Sequence, residues 1–423
     1  MRLVDEAQKI SGPEPISAAA QAFDPFAPDY VADPYPLLAK IQREEPNFFA
    51  NSINTWVITR QTTVRSILTD TRNFSASIAS DPLIPLCPHA RAIISGSNFD
   101  VPGLLVNNDP PSHARYRKFF GEPLKFQHVR TLQPFITDLV DRHINDALDA
   151  GPPHDLAKGL SWDIPALVLF RLLGIPDDDV PMVKDYADSR VILLWGRPTE
   201  QEQITLTSKA VEFFRYTKAL VEARIGDPRG DYPSTLLRQR LLVDDAPTIR
   251  EIIAVTFNLL FAGHETTSSA TANLLSALMA RPTLWKDVVD GKVDIAKLVE
   301  EGLRYDPPVQ AWRRLAKVDV EIDGIAIPAG SHILLHFAAA NRDPDIFVDP
   351  HRFCPARQDG MKHVSFGAGA HFCLGAPLAK MEIAIMIERL AALIPNLHAV
   401  ADQQSEYIPN TSFRGLRRLE VAW

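Results

Sequence analysis

The most informative segment of the chain reads Phe366-Gly367-Ala368-Gly369-Ala370-His371-Phe372-Cys373-Leu374-Gly375. It places Cys373 on a glycine-rich turn directly before an apolar, helix-forming run from Leu374 to Leu393. A sulfur at the start of a helix meets free backbone N–H groups and the positive end of the helix dipole, which favour the thiolate over the thiol. Gly367 and Gly369 permit a tight turn and a close approach to a flat ligand. The segment therefore predicts a shielded thiolate with backbone donors, as an axial haem ligand requires.

This segment resembles the haem-binding loop of the cytochrome P450 monooxygenases, F-G-x-G-x-H-x-C-x-G, and every fixed position of that pattern is filled. The resemblance implies that Cys373 ligates the iron of haem b, with Phe366 and Gly367 among the residues that contact the cofactor. The alternative is a buried, inert cysteine, which is the usual state of a lone Cys. The motifs described below favour the haem ligand.

A long helix is predicted upstream of the loop. Thr248 and Glu251 form a capping-box pattern, and Pro282 supplies a stop signal. About 32 residues lie between these signals, which corresponds to a helix of roughly 48 Å at 1.5 Å per residue. Such a helix could cross the whole molecule, and the resemblance implies that it is the central helix that crosses the haem.

The middle of this helix reads Phe261-Ala262-Gly263-His264-Glu265-Thr266-Thr267. Glycine weakens a helix interior, and a threonine there can hydrogen-bond to a carbonyl one turn earlier and bend the helix. The segment resembles the family pattern A-G-x-[D/E]-T. By that resemblance Thr266 would stabilise the bound oxygen and its water, and Glu265 would open a proton path from solvent. Ala262 and Gly263 would leave a groove for O2. The family more often has Asp at the acid position, and the alternative is a helix kink with a solvated Glu.

Glu301 and Arg304 are three residues apart, so their side chains share one face of a predicted helix. Alone, such a pair usually lies on the surface and contributes little stability. The family uses this spacing for a buried ion pair that an arginine before the cysteine loop completes, and Arg352 fits that third position. We expect all three residues to be structural.

Haem carries two propionates, so a haem protein needs cations placed for them. His113 and Arg117 are four residues apart on a predicted helix that begins at Asp109-Pro110-Pro111, and they point the same way. The family element D-P-P-x-H-x-x-x-R binds a propionate with these two positions. Arg314 and His371 match two further propionate ligands of the family. The alternative for each residue alone is an ordinary surface cation.

The substrate-facing positions are implied by the same resemblance. They lie on the long helix, after the Glu-Arg pair and in the final turn of the chain: Asn258, Phe261, Val309, Gln310, Trp312, Thr411 and Phe413. The segments 78–105 and 191–195 would form the lid. The aromatic side chains predict a compact apolar pocket, in which Asn258 and Gln310 could orient one polar group of the substrate. The alternative is that these aromatics are simply core.

The fold class follows from periodicity and from the resemblance. Apolar residues recur with helical spacing from Phe119 to Ala280, and strand signals occur at residues 56–59 and 318–327. The second strand signal contains an Asp323-Gly324 turn that is typical of a hairpin. We predict a mainly α fold with small β-sheets, the cytochrome P450 fold. Residues 1–20 are expected to be a flexible N-terminus, and residues 21–423 a single haem-thiolate monooxygenase domain.

Composition argues against several partners. The formal net charge is −8, which does not favour nucleic acid. The sequence has no run of about 18 apolar residues and no signal-peptide pattern, so neither a membrane anchor nor export is expected. The 3 cysteines fit no zinc pattern or disulfide framework, which favours a reducing cytoplasm. We also expect a monomer.

The combined motifs predict a bacterial-type monooxygenase. It would insert one oxygen atom from O2 into a small-to-medium apolar or aromatic substrate, by hydroxylation or by O- or N-dealkylation. A weaker resemblance links the chain to haem domains that are often fused to a reductase, but no flavin or iron–sulfur motif follows before Trp423. Electrons are therefore expected from NAD(P)H through a separate ferredoxin reductase and ferredoxin. Six cations are a candidate docking surface for an acidic ferredoxin: Arg115, Lys118, Lys125, Arg130, Lys362 and Lys380.

Two alternatives stay open. A peroxide-driven peroxygenase would not need the Glu265–Thr266 pair, so the presence of that pair argues against it. A haem-binding or sensor protein without turnover would need an output domain, and the sequence contains no recognisable one.

Overall fold

The computed structural model describes residues 12–423, except for the side chains of residues 187 and 188. Helices dominate this part of the chain, as predicted, and short strands form small sheets. The α-helices are α1 (Ala18–Gln21), α2 (Pro28–Ala32), α3 (Tyr35–Glu44), α4 (Gln61–Thr69), α5 (Pro88–Ser95), α6 (Ser112–Gly121), α7 (Phe126–Val129), α8 (Gln133–Ala150), α9 (Asp163–Leu173), α10 (Val180–Trp195), α11 (Glu200–Gly226), α12 (Tyr232–Gln239), α13 (Ile249–Met279), α14 (Pro282–Val289), α15 (Ile295–Tyr305), α16 (Phe337–Ala340) and α17 (Ala376–Leu393). The strands are β1 (Asn47–Ala50), β2 (Thr55–Ile58), β3 (Phe74–Ser75), β4 (His154–Asp155), β5 (Trp312–Ala316), β6 (Val320–Ile322), β7 (Ile325–Ile327), β8 (His332–Leu335), β9 (His398–Ala399) and β10 (Glu420–Ala422).

Helix α13 is the 31-residue helix that the capping box predicted. The Thr248 hydroxyl accepts from the Glu251 N–H at 3.3 Å, and the Glu251 carboxylate accepts from the Thr248 N–H at 2.7 Å. Most side chains of α13 are buried, because α9, α10, α11, α15 and α17 pack around it. No helix among the described residues combines the length and apolarity needed to cross a bilayer.

The largest sheet has the strand order β1-β2-β8-β5-β3. Strands β2 and β8 are parallel, and every other neighbouring pair in this sheet is antiparallel. Strand β2 confirms the strand predicted at residues 56–59. Strands β6 and β7 form the predicted hairpin, and its turn residues Asp323 and Gly324 have φ values of 51° and 81°. Positive φ at both positions explains the Asp-Gly sequence, because glycine and aspartate tolerate this backbone conformation.

The structure describes part of the segment that was expected to be a flexible N-terminus. Residues 1–11 lie outside the described residues, but Ser17 caps α1 through its hydroxyl, and Ala19 and Ala20 are buried. The N–H groups of Ile16 and Ser17 also donate to the Glu45 carboxylate. Residues 16–20 are therefore packed on α3.

The final turn of the chain is fixed to α13. The Asn273 side chain donates to the carbonyl of Arg414 at 3.0 Å and accepts from the N–H of Leu416 at 3.2 Å. A Cβ on Gly415 would lie 2.1 Å from the Ser269 hydroxyl, so only glycine allows this approach. The turn before it, with Phe413, is thereby held close to the middle of α13.

Candidate functional site

The cysteine loop is closed by its own backbone. The N–H of Cys373 donates to the Phe366 carbonyl at 2.9 Å, and the N–H of Phe372 donates to the Gly369 carbonyl at 3.1 Å. Gly367 and Gly369 have φ values of 71° and 65°, which require glycine. Helix α17 begins at Ala376, two residues later than predicted, so Cys373 lies just before its first turn.

The sulfur of Cys373 has the backbone donors that the sequence predicted. The N–H groups of Gly375 and Ala376 donate to it, and the guanidinium of Arg117 is nearby. Burial outweighs these effects and raises the pKa of the thiol. A bound metal cation would supply the positive charge that deprotonates a coordinating thiol.

Four predicted cations converge beside this loop, and we call His113, Arg117, Arg314 and His371 the cationic cluster. The rings of His113 and His371 are 4.2 Å apart between centroids. The Arg117 guanidinium donates to the Phe372 carbonyl at 2.7 Å, which ties α6 to the cysteine loop. Arg314 is 3% exposed, and its guanidinium donates to the Arg313 carbonyl at 2.9 Å.

The two arginines of the cationic cluster, Arg117 and Arg314, indicate a site for an anion. Burial, with Arg314, His113 and Arg117 nearby, lowers the pKa of His371 to about 3. Burial lowers the pKa of Arg314 to about 10, against a smaller opposing effect from Asp109. The buried Nε2 of His371 has no hydrogen-bond partner among the described residues. Since the Asp109 carboxylate already accepts from Ser75 and from the N–H of Ala76, the cluster has spare capacity for negative charge.

The centre of α13 carries a small residue on an exposed face. Ala262 is exposed, although most of the helix is buried. The Thr266 hydroxyl donates to the Ala262 carbonyl at 3.1 Å, so it makes the backward bond expected of a mid-helix threonine. Gly263 was predicted to border an oxygen groove, and the structure adds a packing reason for it. A Cβ there would lie 3.0 Å from Leu169 on α9.

Glu265 is buried, at 3% exposed, and forms an ion pair that the sequence did not predict. Its Oε1 lies 3.5 Å from a guanidinium nitrogen of Arg417, and the Arg417 guanidinium lies 3.9 Å from the centroid of the Trp162 ring. The Arg417 side chain is partly exposed. The carboxylate therefore connects the interior of α13 with a cation near the surface, whereas the alternative of a solvated Glu is wrong.

Four rings form an aromatic cluster next to α13: Trp195, Phe261, Trp312 and Phe413. Their centroids are 4.9 to 5.9 Å apart. Val309 joins this cluster through a β-bridge to Phe413. The segments predicted as the lid contribute Leu86, Ile94, Val191 and Leu194 to the same apolar packing. Only Trp195 was not among the predicted pocket residues, because the sequence assigned it to the lid.

Two predicted polar pocket residues, Gln310 and Thr411, form hydrogen bonds to backbone carbonyls of the protein. The Gln310 amide nitrogen donates to the Pro307 carbonyl at 3.2 Å and lies 3.4 Å from both Tyr35 and Asp306. The Thr411 N–H donates to the Trp195 carbonyl at 3.0 Å, and its hydroxyl contacts the same oxygen. Both residues hold the walls of the pocket together. Asn258, the other predicted polar pocket residue, has a side-chain partner instead: its side-chain oxygen accepts a hydrogen bond from Arg190 at 3.2 Å.

The buried ion pair contains a different third residue from the one predicted. Arg304 binds the Glu301 carboxylate at 2.7 and 2.8 Å, and the two side chains are 0% and 1% exposed. The third cation is Arg357, 3.2 Å from the same carboxylate, whereas the side chain of Arg352 is exposed. Arg352 turns its carbonyl, not its side chain, toward Arg304 and Arg357. The prediction of Arg352 is therefore wrong.

Comparisons with known proteins give relatives over nearly the whole chain. The sequence profile described as "Cytochrome P450" matches residues 194–290 and 295–393. The chain is 32% identical over 405 residues to "Cytochrome P450 monooxygenase PikC" of Streptomyces venezuelae, covering 93% of this chain and 92% of that protein. The solved structure titled "cytochrome P450 CREJ in complex with (4-ethylphenyl) dihydrogen phosphate" has a TM-score of 0.92 and 30% identity, covering 96% of this chain and 100% of that one. Full-length CYP116B46 from Tepidiphilus thermophilus has a TM-score of 0.92 and 33% identity, covering 97% of this chain and 54% of that longer one.

Proposed function

The chain belongs to the cytochrome P450 family and has its fold, and from this premise we propose that its substrate is a small-to-medium apolar or aromatic organic molecule. It is a haem-thiolate monooxygenase, the class to which its named relatives belong. The proposed reaction is hydroxylation or O- or N-dealkylation. One atom of O2 enters the substrate, and two electrons and two protons reduce the other to water. The aromatic cluster carries the proposal, because three buried rings and the half-buried ring of Trp312 offer apolar contact to a compact substrate.

Haem b is the cofactor of this family and supplies the iron at which O2 is activated. Cys373 would ligate that iron, and Phe366 and Gly367 would contact the ring system. The cationic cluster would hold the propionates, which is supported by its spare hydrogen-bonding capacity at His371. The exposed face of Ala262 fits a flat group lying against α13.

The ligand assignment is tested by replacing Cys373 with His. The variant should lose the red-shifted Soret band that thiolate-ligated haem gives when it is reduced and bound to carbon monoxide. Cys354→Ala is a matched control, because this half-buried cysteine lies on a different loop. Persistence of the band in the Cys373 variant, or its loss in the control alone, would show that another sulfur binds the iron.

We propose that Thr266 and Glu265 deliver protons during turnover. The Thr266 hydroxyl lies beside the exposed Ala262, and the Glu265 carboxylate lies one residue away with Arg417 on its outer side. The hydroxyl would hold a proton for O2 reduction, and the carboxylate would receive replacements from solvent. A peroxygenase would need no such supply. Comparable product yields with hydrogen peroxide and with O2 plus electrons would favour that alternative.

We propose that NAD(P)H reduces the enzyme through a ferredoxin reductase and an acidic ferredoxin, and that the enzyme is a cytoplasmic monomer. Three of the six predicted docking cations are already paired, since Arg115 binds Asp245, Lys125 binds Glu122 and Lys380 binds Glu300. The proposed docking surface is therefore reduced to the three exposed cations Lys118, Arg130 and Lys362. Three free cysteines are consistent with a reducing compartment. A protein that binds haem but forms no product with these donors would be a sensor instead.

A further inference from the structure

Arg190 is a buried cation that the assignments above do not use. It lies on α10, is 9% exposed, and reaches from this helix onto α13. Its guanidinium donates to the Asn258 side-chain oxygen at 3.2 Å. The guanidinium carbon lies 4.6 Å from the centroid of Phe257 and 5.1 Å from that of Phe261. Arg190 therefore borders the aromatic cluster through Phe261.

The charge of Arg190 has no counter-charge in the described part of the chain. No carboxylate among those side chains pairs with it, and burial alone lowers the pKa of its guanidinium to about 10. The buried Nη1 has no hydrogen-bond partner among the described residues. A guanidinium carries five N–H donors, so most of its hydrogen-bonding capacity is unused. Contact with two rings offsets only part of the cost of burying an unpaired charge.

Two other buried arginines have a carboxylate partner, which Arg190 lacks among the described residues. Arg304 binds the Glu301 carboxylate, and Arg224 binds the Asp231 carboxylate at 2.5 Å. The Arg313 guanidinium donates to several backbone carbonyls of the segment around Asp81. Among the buried guanidinium groups, Arg304 and Arg224 are thus satisfied within the fold, whereas Arg314, an expected propionate ligand, pairs with no carboxylate among the described residues. An unsatisfied one beside the substrate pocket indicates a ligand that arrives from outside.

We propose that Arg190 binds an anionic group of the substrate, a carboxylate or a phosphate monoester, while the apolar body of the same molecule contacts the aromatic cluster. This inference rests on the proposed monooxygenase function and narrows its substrate class. The planar guanidinium fork suits both anions, because each can accept two parallel N–H bonds. Asn258 would act as a positioning residue that orients the fork.

The positions along α13 also limit the length of the substrate. Asn258, which binds Arg190, and the exposed Ala262 are four residues apart, about 6 Å along the helix axis at 1.5 Å per residue. A single ring or a short chain spans this distance. The oxidised carbon is therefore expected at the end of the molecule opposite the anion.

Binding is tested with three matched probes: para-propylbenzoate, para-propylphenyl phosphate and methyl para-propylbenzoate. The first two carry the two candidate anions, and the third is a neutral ester of the same shape. Binding to the haem-loaded enzyme is measured by the change of haem spin state and, independently of the haem, by calorimetry. At least one anion should bind about tenfold more tightly than the ester, which corresponds to about 1.4 kcal/mol. The two anions differ in charge and shape, so their ranking identifies which group the site selects.

Two variants and a control connect this preference to Arg190. Arg190→Gln should remove the preference for the anion while leaving the affinity for the ester unchanged. Asn258→Asp should have the same effect without removing the arginine, because it places a carboxylate within 3.2 Å of the guanidinium. Arg215→Gln makes the same charge change at an exposed position on α11 and should change nothing.

The possible outcomes separate this proposal from the proposed function. Equal binding of anions and ester by the wild type, or an equal loss for all probes in both variants, would overturn the role of Arg190. Anion binding that depends on Arg190 in calorimetry, with no oxidised product from any probe, would support the anion site and count against the monooxygenase assignment of the pocket. Oxidised product from the ester alone would support the monooxygenase assignment of the pocket and count against the anion site.

Discussion

At the scale of single residues, Glu382 on α17 illustrates how a buried group affects stability. Its side chain is 2% exposed, and its Oε2 has no hydrogen-bond partner among the described residues. Burial raises the pKa of this carboxyl well above its ordinary value. The folded protein therefore keeps Glu382 protonated at pH values at which the unfolded chain ionises it.

This protonation predicts a stability that falls as pH rises. Because the folded pKa is raised, the contribution of Glu382 is fully present below its unfolded pKa and decreases above it, by about 1.4 kcal/mol per pH unit until the folded pKa is reached. Glu382→Gln should remove this decrease and raise the unfolding temperature of the haem-loaded enzyme at neutral and higher pH. Glu388→Gln, an exposed position on the same helix, is the control. Parallel pH curves for wild type and Glu382→Gln would contradict the prediction.

Thr266 supports a prediction about coupling. Its hydroxyl donates to the carbonyl of the exposed Ala262 at 3.1 Å. Thr266→Ala should lower the product formed per electron, by up to the roughly 100-fold that one proton-transfer group contributes, and should raise hydrogen peroxide release. Thr266→Ser keeps a hydroxyl and should keep most of the coupling. An alanine variant that couples as well as wild type would remove Thr266 from the proton path.

At the scale of structural elements, the Glu301 carboxylate joins helix α15 to the loop that follows α16. It accepts from Arg304 on its own helix, from Arg357 on the loop, and from the N–H of Cys354 at 2.7 Å. Arg357 also donates to loop carbonyls, including that of Arg352 at 2.8 Å. One buried carboxylate thus fixes the segment that leads into the cysteine loop.

This arrangement predicts unequal effects for two neighbouring arginines. Arg357→Ala should lower the free energy of unfolding by about 1–3 kcal/mol, because it leaves buried acceptors unsatisfied. Arg352→Ala should change it by less than about 0.5 kcal/mol, because only an exposed side chain is lost. Denaturant titration of both variants measures the difference. A larger loss of unfolding free energy for Arg352→Ala than for Arg357→Ala would support Arg352, the third residue that the sequence predicted.

Elements with local signals could be predicted from the sequence, whereas choices that depend on tertiary packing could not. The capping box fixed the start of α13, and the Asp-Gly pair located the hairpin between β6 and β7. The family spacing led to the neighbourhood of the third arginine but not to Arg357, because the loop path decides which side chain turns inward. Arg190 and Arg417 carry no local motif, and their importance depends on partners 68 and more than 100 residues away.

At the scale of the whole molecule, charge should govern the encounter with the electron donor. The chain has a net charge of −8, yet Lys118 and Lys362 are exposed near the cysteine loop and the helix that contacts it. Changing both to Glu should slow reduction by an acidic ferredoxin, most strongly at low salt, because charge steering acts on the association rate. Substrate affinity should not change. Lys40→Glu, on α3, is the control, and an equal effect of this change would exclude a local docking surface.

The attachment of the final turn to α13 has a consequence for how the protein is made. Asn273 obtains its backbone partners from Arg414 and Leu416, Phe413 completes the aromatic cluster, and β10 pairs with β4 near residue 154. During translation, α13 and β4 emerge long before these partners exist. The nascent chain must therefore hold apolar surface that only residues 410–422 can cover. Folding of the interior is expected to finish after synthesis of residues 410–422, so a stalled ribosome would carry a chain without a closed pocket.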